Sequence, residues 1–341
     1  MHMESRKIRI VDIAEELGVS TATVSNVIHG KTNKVSDETV KRVQQLLEKR
    51  QYIPSMAGIL LAQNDSKIIG VVINDHKKYE GRTLEDQFIS ASVNALSRET
   101  ERAGKFLMVK ITAQWNEIPQ FASMWNMEGM VLIGFCEQDY KKLREQMHIP
   151  FVVYDGYMKS AGSLANIEVN HYDGGVQVGR YLKRRGHREV LCVSDNKVCM
   201  DMERFMGLKS ELPGARLILI PMERERRIRF YREHLGEIKN YSAVFAVSDY
   251  YAMDLIQVLN RAGLSVPEDI SVVGFDNVRG CGNFVPPLTT VKQDYRERAA
   301  LALKLLKQLR DGNCGEKNVI LPVTLMERSS VCDIKLHKKY S

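Results

Sequence analysis

Apolar residues in the first 50 positions recur at helical spacing. Ile10, Ile13, Ala14 and Leu17 fall on one face of a short helix. Gly18 is placed to end it, because glycine takes a left-handed cap conformation at little cost. Ser20 then reads as the N-cap of a second helix, its hydroxyl accepting from a free backbone N–H. Val24, Val27 and Ile28 bury that helix against the first. The face left outward is Thr21, Ala22, Thr23, Ser25 and Asn26, small, polar and uncharged, a face that fits base edges and phosphates in a major groove. A turn-rich basic loop follows, His29 to Lys34, and Ser36 caps a third helix whose apolar stripe is Val40, Val43, Leu46 and Leu47. The pattern is a three-helix head containing a helix-turn-helix.

After residue 66 the period changes. Short apolar runs rich in β-branched residues lie at 68–73, 106–111, 130–135, 151–154, 190–194, 217–221, 243–247 and 271–275. Such runs are expected of parallel strands buried on both faces. Helical stretches at 84–103, 139–147, 172–185, 204–212 and 250–262 separate most of them. Strand–helix alternation implies right-handed βαβ units and doubly wound α/β sheets. Eight strands are too many for one such sheet, so two lobes are expected, with a ligand cleft beyond the carboxyl ends of the strands.

Several longer phrases match a known pattern. They are Asp12-Ile13-Ala14, Gly18-Val19-Ser20-x-x-Thr23-Val24-Ser25, Val35-Ser36-Asp37-Glu38-Thr39, Tyr52-Ile53-Pro54-Ser55, Gly186-His187-Arg188, the run from Val266 to Asp276, Pro286-Pro287-Leu288-Thr289-Thr290-Val291 and Glu327-Arg328-Ser329-Ser330. Together they span about residues 8 to 330, and the chain resembles the LacI/GalR family of bacterial repressors. The resemblance implies a DNA-binding head at 8–53, a hinge helix and linker at 54–66, and an effector-binding and dimerisation body at 67–330. That body would resemble periplasmic sugar-binding proteins, with lobe one at about 67–162 and 292–324, lobe two at about 163–291 and 325–330, and a tail at 331–341. It implies a homodimer on a pseudo-palindromic operator, with Ser20, Thr21, Ala22, Thr23, Ser25, Asn26, His29 and Ser36 at the DNA.

The same resemblance makes 54–62 a hinge helix that wedges Leu61 into the minor groove. Gly58-Ile59 stands where the family usually has Ala-Arg. Glycine costs a helix about 1 kcal/mol relative to alanine, so this hinge should be marginal. In the body, matching positions assign a small-molecule effector, a sugar or sugar derivative, to Asp155, Arg204, Ser248, Asp276 and Tyr295. Asp155 and Asp276 end strands, Arg204 reads as lying in the first turn of a helix, and two carboxylates with one guanidinium make a polyol site. Ser248 stands where many relatives have Asn. Asn74, Asp75, Tyr79, Arg82 and Phe88 align only loosely with a first-lobe wall, because the loop after the first strand is long.

Composition limits the alternatives. The 341 residues carry a net charge of +7, which leans toward anionic partners, but residues 1–62 hold nine Lys/Arg against seven Asp/Glu, so charge alone does not locate the DNA-binding part. Six scattered cysteines without a C-x-x-C disfavour a zinc site or disulfide framework and fit a reducing, cytoplasmic setting. A charged N-terminus without an apolar core argues against a signal peptide, and no apolar run suits a membrane span. There is no G-x-S-x-G, G-x-x-x-x-G-K or H-E-x-x-H, so neither an enzyme, a cofactor nor a bound metal is expected. His187 reads as a turn or capping residue, and the basic runs 180–188 and 223–232 as solvated faces. The rival reading is a sugar-binding or transport module without a regulatory role.

Overall fold

The computed structural model describes residues 8–53, 66–135, 143–156, 164–312 and 318–334. The chain divides into two compact units, 1–66 and 67–341.

The first unit holds helices α1 (Ile10–Leu17), α2 (Thr21–Ile28) and α3 (Asp37–Lys49). Gly18 ends α1 at φ +65. The Ser20 hydroxyl accepts from the Thr23 N–H at 3.1 Å, and the Ser36 hydroxyl accepts from the Thr39 N–H at 3.3 Å, so both expected caps form. Ile13, Ala14, Val24, Val27, Val43 and Leu46 make one buried core, with Tyr52 packed at its edge. Arg50 grips Glu16 at 2.8 Å and ties the end of α3 to α1.

The second unit contains two six-stranded sheets. The first has the order β11-β5-β4-β3-β1-β2, from β1 (Ile68–Asn74), β2 (Phe106–Thr112), β3 (Gly129–Ile133), β4 (Phe151–Tyr154), β5 (Leu164–Val169) and β11 (Asn318–Leu321), all parallel. The second has the order β12-β10-β9-β8-β6-β7, from β6 (Val190–Ser194), β7 (Arg216–Leu219), β8 (Ala243–Ala246), β9 (Ser271–Asp276), β10 (Thr289–Lys292) and β12 (Thr324–Met326). Only β12 runs antiparallel there. Helices α4 (Gln87–Arg102), α5 (Ile118–Met124), α6 (His171–Arg184), α7 (Cys199–Glu211), α8 (Arg224–Glu233), α9 (Leu235–Ile238), α10 (Asp249–Arg261) and α11 (Tyr295–Arg310) cover the faces.

The chain passes between lobes three times: after β5, after β10 and between β11 and β12. The expected boundary at 163 therefore shifts. β5 pairs with β4 at Val152↔Ala165 and belongs to lobe one, so lobe two begins at the following helix. The polar Asn166 and Glu168 break the apolar pattern of β5, which conceals it in the sequence. Of the expected helix at 139–147, residues 143–146 are helical and 139–142 lie outside the described residues, as do Gly58 and Leu61.

Two glycines decide how α6 meets α7. A Cβ on Gly175 would fall 2.0 Å from the Arg204 carbonyl oxygen, and one on Gly207 would fall 2.0 Å from the Tyr172 carbonyl oxygen. No side chain fits at either point, so the two helices pack backbone to backbone. That contact sets Arg204 of α7 beside His171 at the start of α6.

Candidate effector site

Asp155 follows β4 with φ +55 and Asp276 closes β9 with φ +115, both in a region L-residues seldom adopt. Each carboxylate is thereby turned from its strand toward the junction of the lobes. Asp155 does not present a free acceptor. Its Oδ1 takes Arg298 Nη2 at 2.8 Å and His171 Nε2 at 3.2 Å. Arg298 lies on α11, is 1% exposed, also donates to the Ile167 carbonyl at 2.7 Å, and stacks over Tyr154 at 4.1 Å.

On the other side of the imidazole, Arg204 Nε lies 3.2 Å from His171 Nδ1. Guanidinium Nε–H can only donate, so Nδ1 must accept. His171 is therefore the neutral tautomer with its proton on Nε2, donated to Asp155. Burial and the neighbouring Arg204 charge lower its pKa to about 4, against the opposing pull of Asp155. Burial alone would raise the Asp155 carboxyl. The Arg298 charge and the His171 hydrogen bond outweigh it and hold that carboxyl well below the usual range.

Arg204 also donates to the Val247 carbonyl, lies over the Phe275 ring at 3.7 Å, and places Nη2 3.9 Å from Asp276 Oδ1. Burial pushes the Asp276 carboxyl up, only partly offset by Arg204. Gln293 Nε2 donates to Asp276 Oδ1 at 2.6 Å, and Arg298 Nη1 meets Gln293 Oε1 at 3.5 Å. A closed ring of six buried side chains results: Asp155, His171, Arg204, Asp276, Gln293 and Arg298. Asp155 and Arg298 belong to lobe one, Arg204 and Asp276 to lobe two. His171 and Gln293 stand at two of the passages between lobes.

The ring contains Asp155, Arg204 and Asp276, three of the five effector positions expected from sequence. Arg204 is not in a first turn, because α7 begins at Cys199; it is the sixth helical residue and points back across the packed α6. Tyr295 touches the ring through its hydroxyl, which donates to the Asp276 carbonyl at 3.2 Å, and its ring faces Phe88 at 6.0 Å. Ser248 caps α10, its hydroxyl accepting from the Tyr251 N–H at 3.4 Å. Of the loosely aligned first-lobe residues, Asn74 donates to the Gly134 carbonyl at 2.7 Å and Asp75 accepts from the Thr83 hydroxyl at 2.7 Å.

Sequence reasoning missed His171, Gln293 and Arg298. It also placed 223–232 on a solvated face, whereas Arg227 of α8 is fully buried, bound to Asp254 at 2.8 Å and set over Tyr251 at 4.6 Å. His187 is buried, with Nδ1 2.9 Å from the Ser242 hydroxyl and Nε2 3.2 Å from the Cys332 carbonyl, which fastens the segment after β12 to the lobe-two sheet.

In the head, Thr21 and Ala22 are exposed and Thr23, Ser25, Asn26 and His29 are half-buried. Ser20 and Thr23 share a hydroxyl contact at 2.9 Å, and Ser36 pairs with Thr39 in the same way at 2.8 Å. Among the described residues no helix is long and apolar enough to cross a membrane, and no group of His, Cys, Asp and Glu is placed to hold a metal ion.

A capped helix-turn-helix joined to a two-lobed, doubly wound body defines a DNA-binding regulator with a ligand-binding body. Two family descriptions match: "Bacterial regulatory proteins, lacI family" over residues 9–55 and "Periplasmic binding protein-like domain" over residues 180–331. The chain is 28% identical over 341 residues to the HTH-type transcriptional repressor PurR of Escherichia coli O139:H28, covering 95% of this chain and 97% of the relative. The lac repressor dimer bound to operator and the anti-inducer ONPF superimposes with a TM-score of 0.81 at 23% identity, covering 96% of this chain and all of that one. A transcriptional regulator CelR–cellobiose complex superimposes with a TM-score of 0.69 at 21% identity, covering 95% and 99%. The head matches the lacI family of bacterial regulatory proteins, and the chain is similar along nearly its whole length to LacI-family DNA-binding transcriptional repressors, which are not enzymes.

Proposed function

We propose that this protein is a cytoplasmic repressor, working as a homodimer on a pseudo-palindromic operator and controlled by a neutral sugar or sugar derivative held between its lobes. Its working parts are a head at 8–53, a hinge at 54–66 and a body from 67 to about 330. Base readout falls to the outward face of α2, chiefly Thr21, Ala22 and Asn26, with Ser20, Thr23, Ser25, His29 and Ser36 at phosphates. Leu61 supplies the minor-groove wedge, and its hinge folds on DNA.

The observation that carries the effector reading is the ring itself. Asp155, Arg204 and Asp276 converge at the carboxyl ends of β4 and β9 and at a helix packed between them, across the passages on which the lobes turn. Hydroxyl groups of a ligand exchange hydrogen bonds with Arg204 and Asp276, so binding changes the set of bonds spanning the two lobes. Tyr295 and Phe88 offer apolar surface to a sugar face, and Ser248 a hydroxyl. A dimer is supported by the edge strand β2, which leaves Val109 and Ile111 exposed on one face and Phe106 on the other. Solved relatives include the cellobiose complex and a family regulator from Enterococcus faecium with bound ribose, which makes carbohydrates the first ligands to try.

The test is a thermal-shift screen of the purified protein against neutral sugars and sugar phosphates. A ligand at a hundred times its Kd stabilises by about 2.7 kcal/mol. A shift with one sugar, absent in Arg204→Ala, supports the assignment; a sugar that shifts both proteins equally places the ligand elsewhere.

A further inference from the structure

The loop joining β1 to α4 leaves lobe one and reaches the other lobe. It begins at Asp75, whose backbone N–H donates to the Thr112 carbonyl of β2 at 3.2 Å, and ends at Asp86, whose carboxylate caps α4 at the Ile89 N–H, 3.0 Å. Both ends are thus fixed to lobe one. Between them, Lys77–Tyr79 forms a 3-10 turn, followed by Glu80 at φ +51 and Gly81 at φ +75. The two left-handed residues turn the chain back at its furthest point.

At that point the Glu80 carboxylate accepts from the Arg224 backbone N–H at 2.8 Å. Arg224 is the first residue of α8, in lobe two, and no side chain of its own N-cap residue Glu223 serves this helix. A carboxylate at a helix start satisfies an orphan donor and meets the positive end of the helix dipole. A residue of lobe one therefore caps a helix of lobe two. The neighbouring loop residues face lobe two as well. The lobe-two carboxylates Asp195 and Asp201 are among the charges that raise the pKa of the exposed Lys78. His76 is drawn upward by the same Asp195, against the stronger lowering by burial and Lys78. Tyr79 packs against the apolar core shared by the two sheets, with Lys78 Nζ 5.0 Å from its ring centre.

We propose that residues 75–86 form a strap that latches lobe one to lobe two across the cleft, through Glu80 on the start of α8, and holds the lobes closed before any ligand arrives. The strap depends on a charged cap, so its hold is strongest at low ionic strength. Access to the cleft requires Glu80 to leave α8. The inference does not rest on the identity of the effector, and its test uses the protein without ligand.

The strap carries three trypsin sites, after Lys77, Lys78 and Arg82. The full-length protein is digested with limiting trypsin, cuts in the strap are followed by mass spectrometry, and the radius of gyration is measured by small-angle X-ray scattering. Glu80→Ala is expected to be cut after Lys77, Lys78 and Arg82 at least ten times faster than wild type, with a larger radius of gyration. Glu80→Gln, which keeps an acceptor oxygen, is expected to stay within a factor of three of wild type. Far-UV circular dichroism matching wild type shows that the variants fold. Cutting at the wild-type rate in Glu80→Ala overturns the latch, and faster cutting without any change in the radius of gyration overturns it too, since the loop would then be released while the lobes stay closed by other means.

Discussion

Arg298 is buried in lobe one and has Asp155 as its counter-ion, so its removal has a calculable consequence. In Arg298→Met the stem of the side chain is kept and the guanidinium is lost. The variant forfeits the ion pair at 2.8 Å and the bond to the Ile167 carbonyl at 2.7 Å, and leaves Asp155 with His171 alone. Breaking a buried pair by removing one partner costs about 3–5 kcal/mol, most of it the charge left uncompensated. Among the described residues Arg298 Nε has no hydrogen-bond partner, which trims the pair's net worth and favours the lower end of that range.

The cost depends on pH. In the wild type the folded Asp155 carboxyl titrates below its unfolded value, so the stability it contributes is present above about pH 4 and is lost as pH falls further. Without Arg298, burial dominates and the folded carboxyl titrates above its unfolded value. The variant's deficit is then largest at pH 7 and shrinks as pH falls toward 4.5, where the carboxyl takes up a proton. Urea denaturation at both pH values reads this directly, with Arg298→Met/Asp155→Asn recovering much of the loss at pH 7. A deficit under about 1 kcal/mol at pH 7, or one that is equal at the two pH values, would show that Asp155 is not held by Arg298.

Three further outcomes follow from the same geometry. Arg204→Ala should abolish ligand-induced change in operator binding while ligand-free binding stays within a few-fold of wild type, as read by titration of labelled operator with and without the effector; a retained response would remove Arg204 from the site. His171, neutral when folded with a pKa of about 4 against 6.5 when unfolded, contributes stability fully present above 6.5 and lost as pH falls toward 4, about 3 kcal/mol in total, so the stability of His171→Gln should fall less steeply over that interval. Gly207→Ala has no room for its Cβ against the Tyr172 carbonyl and should lower thermal stability and weaken ligand binding together by shifting α7; an unchanged melting temperature would mean the helices part at no cost.

Much of the architecture is legible in the sequence because buried parallel strands are written as continuous apolar runs. β1, β4, β6, β8 and β9 each coincide with such a run to within a residue or two. The strands that escape notice are short, polar or at sheet edges: β5 with Asn166 and Glu168, β10 with Thr289 and Thr290, and β11 and β12 at the ends of their sheets. Their position is decided by pairing partners far away in the chain. The same holds for the site. Asp155 and Asp276 could be picked out because they close apolar strands, whereas His171 and Arg298 look like ordinary helix residues. A signal was nevertheless present. His171 shares a buried stripe with Gly174, Gly175, Val178 and Leu182, and Arg298 shares one with Ala302 and Leu305. A titratable residue on an apolar stripe must find a buried partner, and here each found Asp155.

The head offers the most direct test of the whole account, because every regulatory statement depends on sequence-specific DNA binding. The full-length protein is incubated with a randomised duplex library at one fixed salt concentration, and bound sequences are selected and read. The account predicts enrichment of a two-fold symmetric motif, with Asn26→Ala relaxing preference at one symmetric pair of positions by about 1–3 kcal/mol in discrimination and leaving the rest of the motif intact. Recovery of sequences indistinguishable from the starting library, with binding that merely weakens as salt rises, would contradict it.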